Sequence, residues 1–420
     1  MNSFSTDYDV IVIGAGAAGL AATKELRAWG LNVLCLEAAD RSGGRCFTDT
    51  TSFGVPFDHG AHWLHNRQSN PFVEIGHAFG FDIYPTPETY MTEGGMEADK
   101  ELTEILDRFE AKMDEAVEAG QDLSAADLFD VTGAWTHTAA SLFALPMGRD
   151  LDEISVIDKT EGWIEENWFC REGFGALLSR YHASTPVTLS TPVTRVKSTR
   201  NGVEVSTPDA TIRAKAVIVT VSQGVLAADT IAFDPPLEPD RREAIEGITM
   251  GTYNHTALLF EPGAIPVPDD IWLSFRIDET RDGSVRGGGV LCNIGGTGLC
   301  SYETAGRFSQ ELEQSGVDAA TEFALEALTR MFGNGVRAKF ISSEMTNWTQ
   351  NPWTRGSYSG ALPGCAHLRS RLKQPHAERV FFAGEAMSNT NRGTVAGAHQ
   401  EGIRAAKEAA VFAGQNTKTG

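Results

Sequence analysis

Positive charge is what this chain most lacks. Its 420 residues include 35 lysines and arginines against 56 aspartates and glutamates, a formal net charge of −21. Phosphate backbones and anionic lipid surfaces would repel such a molecule and small cations would be drawn to it, so neither nucleic acid nor membrane is an expected partner. Solubility accounts for the acidity equally well. Long apolar runs are also missing. Met1 to Asp7 is polar, and the first apolar run, Val10 to Ile13, is far too short for a signal segment or a membrane span, so a cytoplasmic location is expected. Cysteine is sparse: Cys35, Cys46, Cys170, Cys292, Cys300 and Cys365 contain no Cys-x-x-Cys pair, which argues against a disulfide framework or a zinc knuckle.

What is present is enough apolar sequence, 41% of residues, to fill more than one core. Tyr8 to Ile13 reads as a strand, Ala17 to Trp29 as a helix and Asn32 to Glu37 as a second strand, a βαβ opening. From Asn70 to about Glu166 the pattern turns helical and acidic, clearest over Glu101 to Ala119. Strand signals return at Pro192 to Lys197, Val203 to Ser206 and Ala216 to Val221, and then at Thr252 to Phe260, Trp272 to Ile277 and Gly289 to Ile294. A helix follows over Val317 to Phe332, then a strand over Arg379 to Ala383 and an alanine-rich helix over Thr394 to Phe412.

Chemistry enters at Gly14-Ala15-Gly16-Ala17-Ala18-Gly19, which follows the first strand and opens the first helix. There backbone N–H groups and the positive helix end can face a pyrophosphate. Glu37 ends the second strand 23 residues after Gly14, where an acid can accept hydrogen bonds from the adenosine ribose hydroxyls. This fingerprint serves NAD and FAD alike. The next segment, Glu37 to Arg45 with Gly43-Gly44-Arg45, resembles the flavin amine oxidase family. The resemblance implies that Gly44 and Arg45 lie against an FAD pyrophosphate, a role suited to a planar guanidinium.

Asp58-His59-Gly60-Ala61-His62-Trp63-Leu64-His65 is most similar to the polyamine oxidase branch. By that resemblance Gly60, Ala61, His62 and Trp63 pass close to the flavin and His65 is an active-site histidine. His59, His62 and His65 lack the helical spacing of a zinc protease, and no metal is expected. Thr191 to Val196 resembles the family's adenine-contacting strand through Val193, with a core strand as the competing reading. Arg379 to Glu385 resembles its second flavin motif, through Gly384 and Glu385, and Thr394-Val395-Ala396-Gly397-Ala398 the start of its last helix. The N–H groups of that helix end would stabilise negative charge on a reduced flavin.

Trp348 to Ser359 is similar to polyamine oxidases and lysine-specific histone demethylases, which implies that Trp353 borders the cofactor and that Tyr358 is an aromatic wall of the amine site. Thr394 stands at the partner position of the two-ring cage, so half of that cage is missing. Ser357 replaces the flavin-linking cysteine of animal monoamine oxidases, which implies non-covalent FAD. His255 stands where the family usually has a lysine that reaches flavin N5 through a water. An imidazole can hold that water with less positive charge, and a core histidine is the alternative. Glu161, Glu165 and Glu166 offer carboxylates to a distal ammonium, and a solvated acidic face accounts for them equally well.

The expectation is therefore an α/β protein: a Rossmann-type FAD-binding domain from 1–75, 167–240 and 366–420, and a discontinuous mixed α+β substrate-binding domain from 76–166 and 241–365. As a monomer or homodimer it would oxidise a primary or secondary amine, a polyamine among them, by hydride transfer to flavin N5. The imine would hydrolyse and O2 would yield H2O2. His65, His255, Tyr358 and Thr394 are the expected active-site residues. A flavin desaturase or dehydrogenase, an amino-acid oxidase using Arg171, Arg276 or Arg355, and an FAD-binding sensor or scaffold without turnover are the alternatives.

Overall fold

Tyr8–Ile13 is a strand whose last four residues, Val-Ile-Val-Ile, are buried, as expected of a strand covered on both faces. It pairs in parallel with Val33–Leu36 on one side and Thr211–Val219 on the other. The connection to Val33–Leu36 is the helix Ala17–Ala28, so the βαβ opening is as read. The computed structural model describes residues 7–87, 90–129, 132–161 and 166–414. Its first sheet has seven strands drawn from distant parts of the chain. Antiparallel Gly202–Ser206 and Arg195–Thr199 extend one side to Ala232–Asp234, and Val380–Phe382 joins Thr211–Val219 in parallel. The last helix, Val395–Phe412, lies on Ala17–Ala28 so closely that a Cβ at Gly402 would stand 2.2 Å from the Ala18 carbonyl oxygen. Small residues are what permit that approach.

The second sheet has six strands in the order Phe340–Met345, Tyr253–Phe260, Leu299–Ala305, Gly288–Cys292, Ile271–Ser274 and Tyr90–Thr92. The first five are antiparallel and the last is parallel to its neighbour. Strand side chains alternate between faces. One face, with Leu258, Phe260, Cys300 and Tyr302, packs on Ala324 and Leu328 of the helix Val317–Phe332. The opposite face carries Tyr253, His255, Ser301 and Glu303.

Three readings shift. The strand expected at Pro192 to Lys197 runs over Arg195–Thr199, because Pro192 cannot donate to a ladder. Trp272 to Ile277 stops at Ser274. The helical stretch contains the strands Ile83–Pro85 and Tyr90–Thr92, and Leu299–Ala305 is a central strand the sequence reading leaves unassigned. All six cysteines are free. Among the described residues no helix is long and apolar enough to cross a membrane.

Candidate active site

The phosphate-facing end is built from glycines that nothing larger could replace. Gly14 has φ +100, and a Cβ at Gly19 would lie 1.8 Å from the Gly14 carbonyl oxygen. Gly16 differs: a Cβ there meets nothing within 4 Å, and the helix that follows has no side-chain cap. The turn therefore presents open space and unsatisfied N–H groups, with Ala18 buried in the first helical turn. Gly43 N–H donates to the Ala15 carbonyl at 2.8 Å, and Gly44 stacks on Gly16, so the second glycine loop closes over the first. Glu37 lies across the same turn, its carboxylate accepting from Ala15 N at 2.6 Å and Ala39 N at 2.9 Å. Its backbone carbonyl accepts from Thr191 N at 2.7 Å, which brings the Val193 segment alongside.

Arg45 holds the middle. Its guanidinium donates to the Ser357 carbonyl at 2.7 Å and ion-pairs with Glu385 at 3.0 Å. Glu385, buried behind Gly384, also accepts from Ser359 N, Ser359 Oγ and Gly393 N. A Cβ at Gly60 would lie 2.0 Å from the Arg45 carbonyl, which Ala61 N also reaches at 3.0 Å. Thr394 caps the last helix: its hydroxyl donates to the Asn391 carbonyl at 2.7 Å and accepts from Gly397 N at 3.0 Å, with Val395 buried beside it. Trp353, by contrast, keeps 39% of its surface exposed. These loops form a dinucleotide cradle running from the first helix to the last, and its donor set and open glycine face fit FAD.

At the other end Tyr358 is set by backbone pairing: Gly251 N donates to its carbonyl at 2.8 Å, beside the short ladder of Ile248–Met250 with Ser359–Ala361. Its ring stands 3.6 Å from where a Gly393 Cβ would be, one residue from Thr394. His65 sits nearby through its neighbour Asn66, whose amide donates to Asn391 Oδ1 at 3.1 Å. His65 Nδ1 is 2.7 Å from Asn167 Oδ1, so with the amide oxygen accepting, Nδ1 donates and Nε2 keeps its lone pair. Burial pushes the His65 pKa down, partly opposed by that bond. Trp63 stacks on His65 at 6.5 Å and 8°, and His62 turns away to Asp58 at 3.0 Å. His59 lies beside Glu344 at 3.5 Å, so the three histidines do not converge.

His255 is 4% exposed and its Nδ1 donates to the Asp58 carbonyl at 3.1 Å. Burial pushes its pKa down to about 4, so at neutral pH it is an uncharged ring that accepts at Nε2. Two residues went unnoticed in the sequence. Tyr253, two positions before His255, lies 5.5 Å from that ring and 5.8 Å from the Tyr358 ring. Glu303, opposite His255 in the strand register, accepts a hydrogen bond from the Tyr253 hydroxyl and is 2% exposed. An acid amid Leu299–Ala305 was the available signal. The acids weighed from sequence do less: Glu166 is exposed and near Arg67, while Glu165 and the Glu161 side chain lie outside the described residues.

Residues 157–410 match the family described as flavin containing amine oxidoreductase, and residues 12–75 match the NAD(P)-binding Rossmann-like domain. Polyamine oxidase 4 of Oryza sativa subsp. japonica is 29% identical over 95% of this chain and 88% of its own. Polyamine oxidase 2 of Arabidopsis thaliana is 28% identical over 95% and 87%. Among solved structures, wild-type putrescine oxidase bound to putrescine superposes with a TM-score of 0.77 at 20% identity, covering 96% of this chain and 98% of that one, a likeness of fold. With the family match spanning more than half of the chain, and with a dinucleotide cradle ending at an aromatic cluster, the chain belongs to the flavin containing amine oxidoreductases, close to the polyamine oxidases, and is an FAD-dependent amine oxidase.

Proposed function

We propose that this chain oxidises a small cationic amine, primary or secondary, to an imine that water hydrolyses to an aldehyde or ketone, with O2 reduced to H2O2. The observation that carries this reading is the placing of Tyr358 against Gly393 and the capped start of the last helix, next to the Tyr253–Glu303 pair. Polyamines or a short diamine are the substrates suggested by the relatives. FAD would be held without a covalent link, since Ser357 has no thiol and its hydroxyl donates to the Gly251 carbonyl at 3.0 Å.

Gly14, Gly16, Gly19, Gly44 and Arg45 would hold the pyrophosphate, Glu37 and Val193 the adenosine, and Gly60, Ala61, Glu385 and Val395 the flavin end, with Trp353 at its edge. When bound, FAD would supply the two-electron acceptor for the hydride on the carbon beside nitrogen. The protein's share is positioning and exclusion of water. Tyr358 presents a ring face to the amine, His65 Nε2 can accept an amine N–H, and His255 Nε2 can hold a water. Thr394 acts through the helix it caps. The division into domains at 75/76, 166/167, 240/241 and 365/366, a monomeric or dimeric state and a cytoplasmic location belong to the same reading.

An amino-acid oxidase would aim an arginine at the substrate carboxylate. Arg171 and Arg276 instead pair with Asp82 and Asp278 with about half their side chains exposed, and Arg355 is exposed. The test is anaerobic mixing of the FAD-loaded protein with mono-, di- and polyamines. Bleaching of the flavin band, at about 450 nm for any flavin, followed by peroxide when air is admitted, is expected. A loaded protein that no amine bleaches would sink the reading and favour a desaturase or a binding protein without turnover.

A further inference from the structure

Among the described residues Glu303 is a carboxylate with no counter-charge. It projects from the central strand Leu299–Ala305, opposite His255 on one neighbouring strand and Gly289 on the other. Directly opposed residues share a sheet face, so the row runs His255, Glu303, Gly289, Ser274, Thr92. Gly289 has no side chain of its own, and the Trp272 indole lies over it, where a Cβ would stand 2.1 Å from Cζ2. Ser274, Thr92 and Ser301, two residues before Glu303, have buried hydroxyls without a hydrogen-bond partner among the described residues. Such groups cost free energy unless something polar reaches them.

Among the described residues the hydrogen bond from Tyr253 is the contact that serves Glu303, and no lysine, arginine or histidine forms an ion pair with it. Burial alone pushes its pKa up to about 8. Two neighbouring groups are engaged elsewhere: the Arg149 guanidinium donates to Thr249, and the neutral His255 ring donates to the Asp58 carbonyl. Tyr253 links Glu303 to the Tyr358 wall, ring to ring at 5.8 Å.

We propose that Glu303 is the specificity-determining carboxylate of the amine pocket, binding an ammonium group of the substrate beside the Tyr253–Tyr358 wall. The assignment rests on the amine-oxidase reading. An arriving ammonium favours the ionised acid, so at neutral pH binding releases a proton from Glu303 and tightens as pH rises.

The experiment measures binding of tert-butylammonium to the FAD-loaded protein by calorimetry between about pH 6 and pH 9, a range that spans the raised pKa and leaves the ligand protonated. This ligand has no hydrogen on the carbon beside nitrogen, so it is not oxidised. Binding should tighten with pH, and Glu303→Gln should weaken it about ten-fold at the alkaline end, the loss expected for one charge-assisted hydrogen bond, and flatten the profile. Glu303→Asp should keep the slope. Equal affinity in parent and Gln variant would overturn the proposal. Should the Gln variant fail to load FAD, a flat profile in the parent would do the same. Anaerobic reduction by butylamine and by 1,4-diaminobutane then locates the ammonium: weakening of both places the reacting nitrogen at Glu303, and weakening of the diamine alone places the distal one there. Binding that depends on Glu303 in a protein no amine reduces would sink the amine-oxidase reading and leave this assignment standing.

Discussion

In the proposed amine site Tyr358 is the central residue. Its ring is confined between Gly148, where a Cβ would stand 3.2 Å away, and Gly393, and its hydroxyl donates to the Leu145 carbonyl at 3.1 Å. Burial and the nearby Glu303 raise its pKa, so the phenol stays neutral and serves as a surface rather than an acid or base. Tyr358→Ala should lower kcat/KM for amines by about ten-fold or more, through lost shape and ring-face attraction. Tyr358→Phe should keep most of the activity, and unchanged kinetics in the Ala variant would remove Tyr358 from the site. His255 illustrates a different point. Burial keeps its ring neutral, and in the proposed site charge selectivity falls to the acid across the strand from it.

The last helix is the element that joins cofactor and substrate ends. Thr394 spends both hydroxyl functions on the cap, which leaves the N–H groups of Val395 and Ala396 for a ligand at the helix start. Thr394→Ala should cost about 1 kcal/mol of stability and loosen FAD, read as a higher free-FAD concentration needed to load the protein. Thr394→Ser should restore both, because the cap needs only the oxygen. If Ser fails where Thr succeeds, the methyl group rather than the cap matters. The six-stranded sheet contributes differently: one face is an apolar core and the other mixes Ala257, Leu291 and Leu299 with His255 and Glu303, so its central strand is buried on both sides and its residues cannot be told apart by hydropathy.

For the whole molecule, buried histidines, His65 among them, lower stability on the acid side, and three are shifted furthest. Burial pushes His182 down to about 3 and both His255 and His399 down to about 4, from 6.5. Between these values and 6.5 the unfolded chain binds protons that the folded one refuses, so stability is full above about pH 6.5 and is lost as pH falls toward 4. Glu303 acts in the opposite sense: its raised pKa adds stability as pH falls through 8 toward 4.5. Three groups outweigh one, so the urea midpoint should fall between pH 7 and pH 5. It should fall more steeply in Glu303→Gln, where the opposing group is gone. A midpoint that rises toward pH 5 would contradict the histidine assignment, and a Glu303→Gln profile no steeper than the parent's would contradict that of Glu303.

The glycine turn, Glu37, the second glycine loop and the capped final helix were all legible in the amino-acid sequence, because close backbone approach and helix ends demand particular residue types at particular spacings. The family resemblance followed from the same segments. The placing of the amine site was decided only in three dimensions. Tyr358, 103 residues from His255 in the chain, meets it through Tyr253, and nothing in either segment's own pattern forecasts that contact. Glu303 was hidden for a stronger reason: a buried acid is defined by what covers it and by the absence of a counter-charge, and both are properties of neighbouring strands rather than of Leu299–Ala305 itself. Local spacing determines how this chain can grip a dinucleotide, whereas strand register decides which charges share a pocket, since register is set by the packing of the whole sheet.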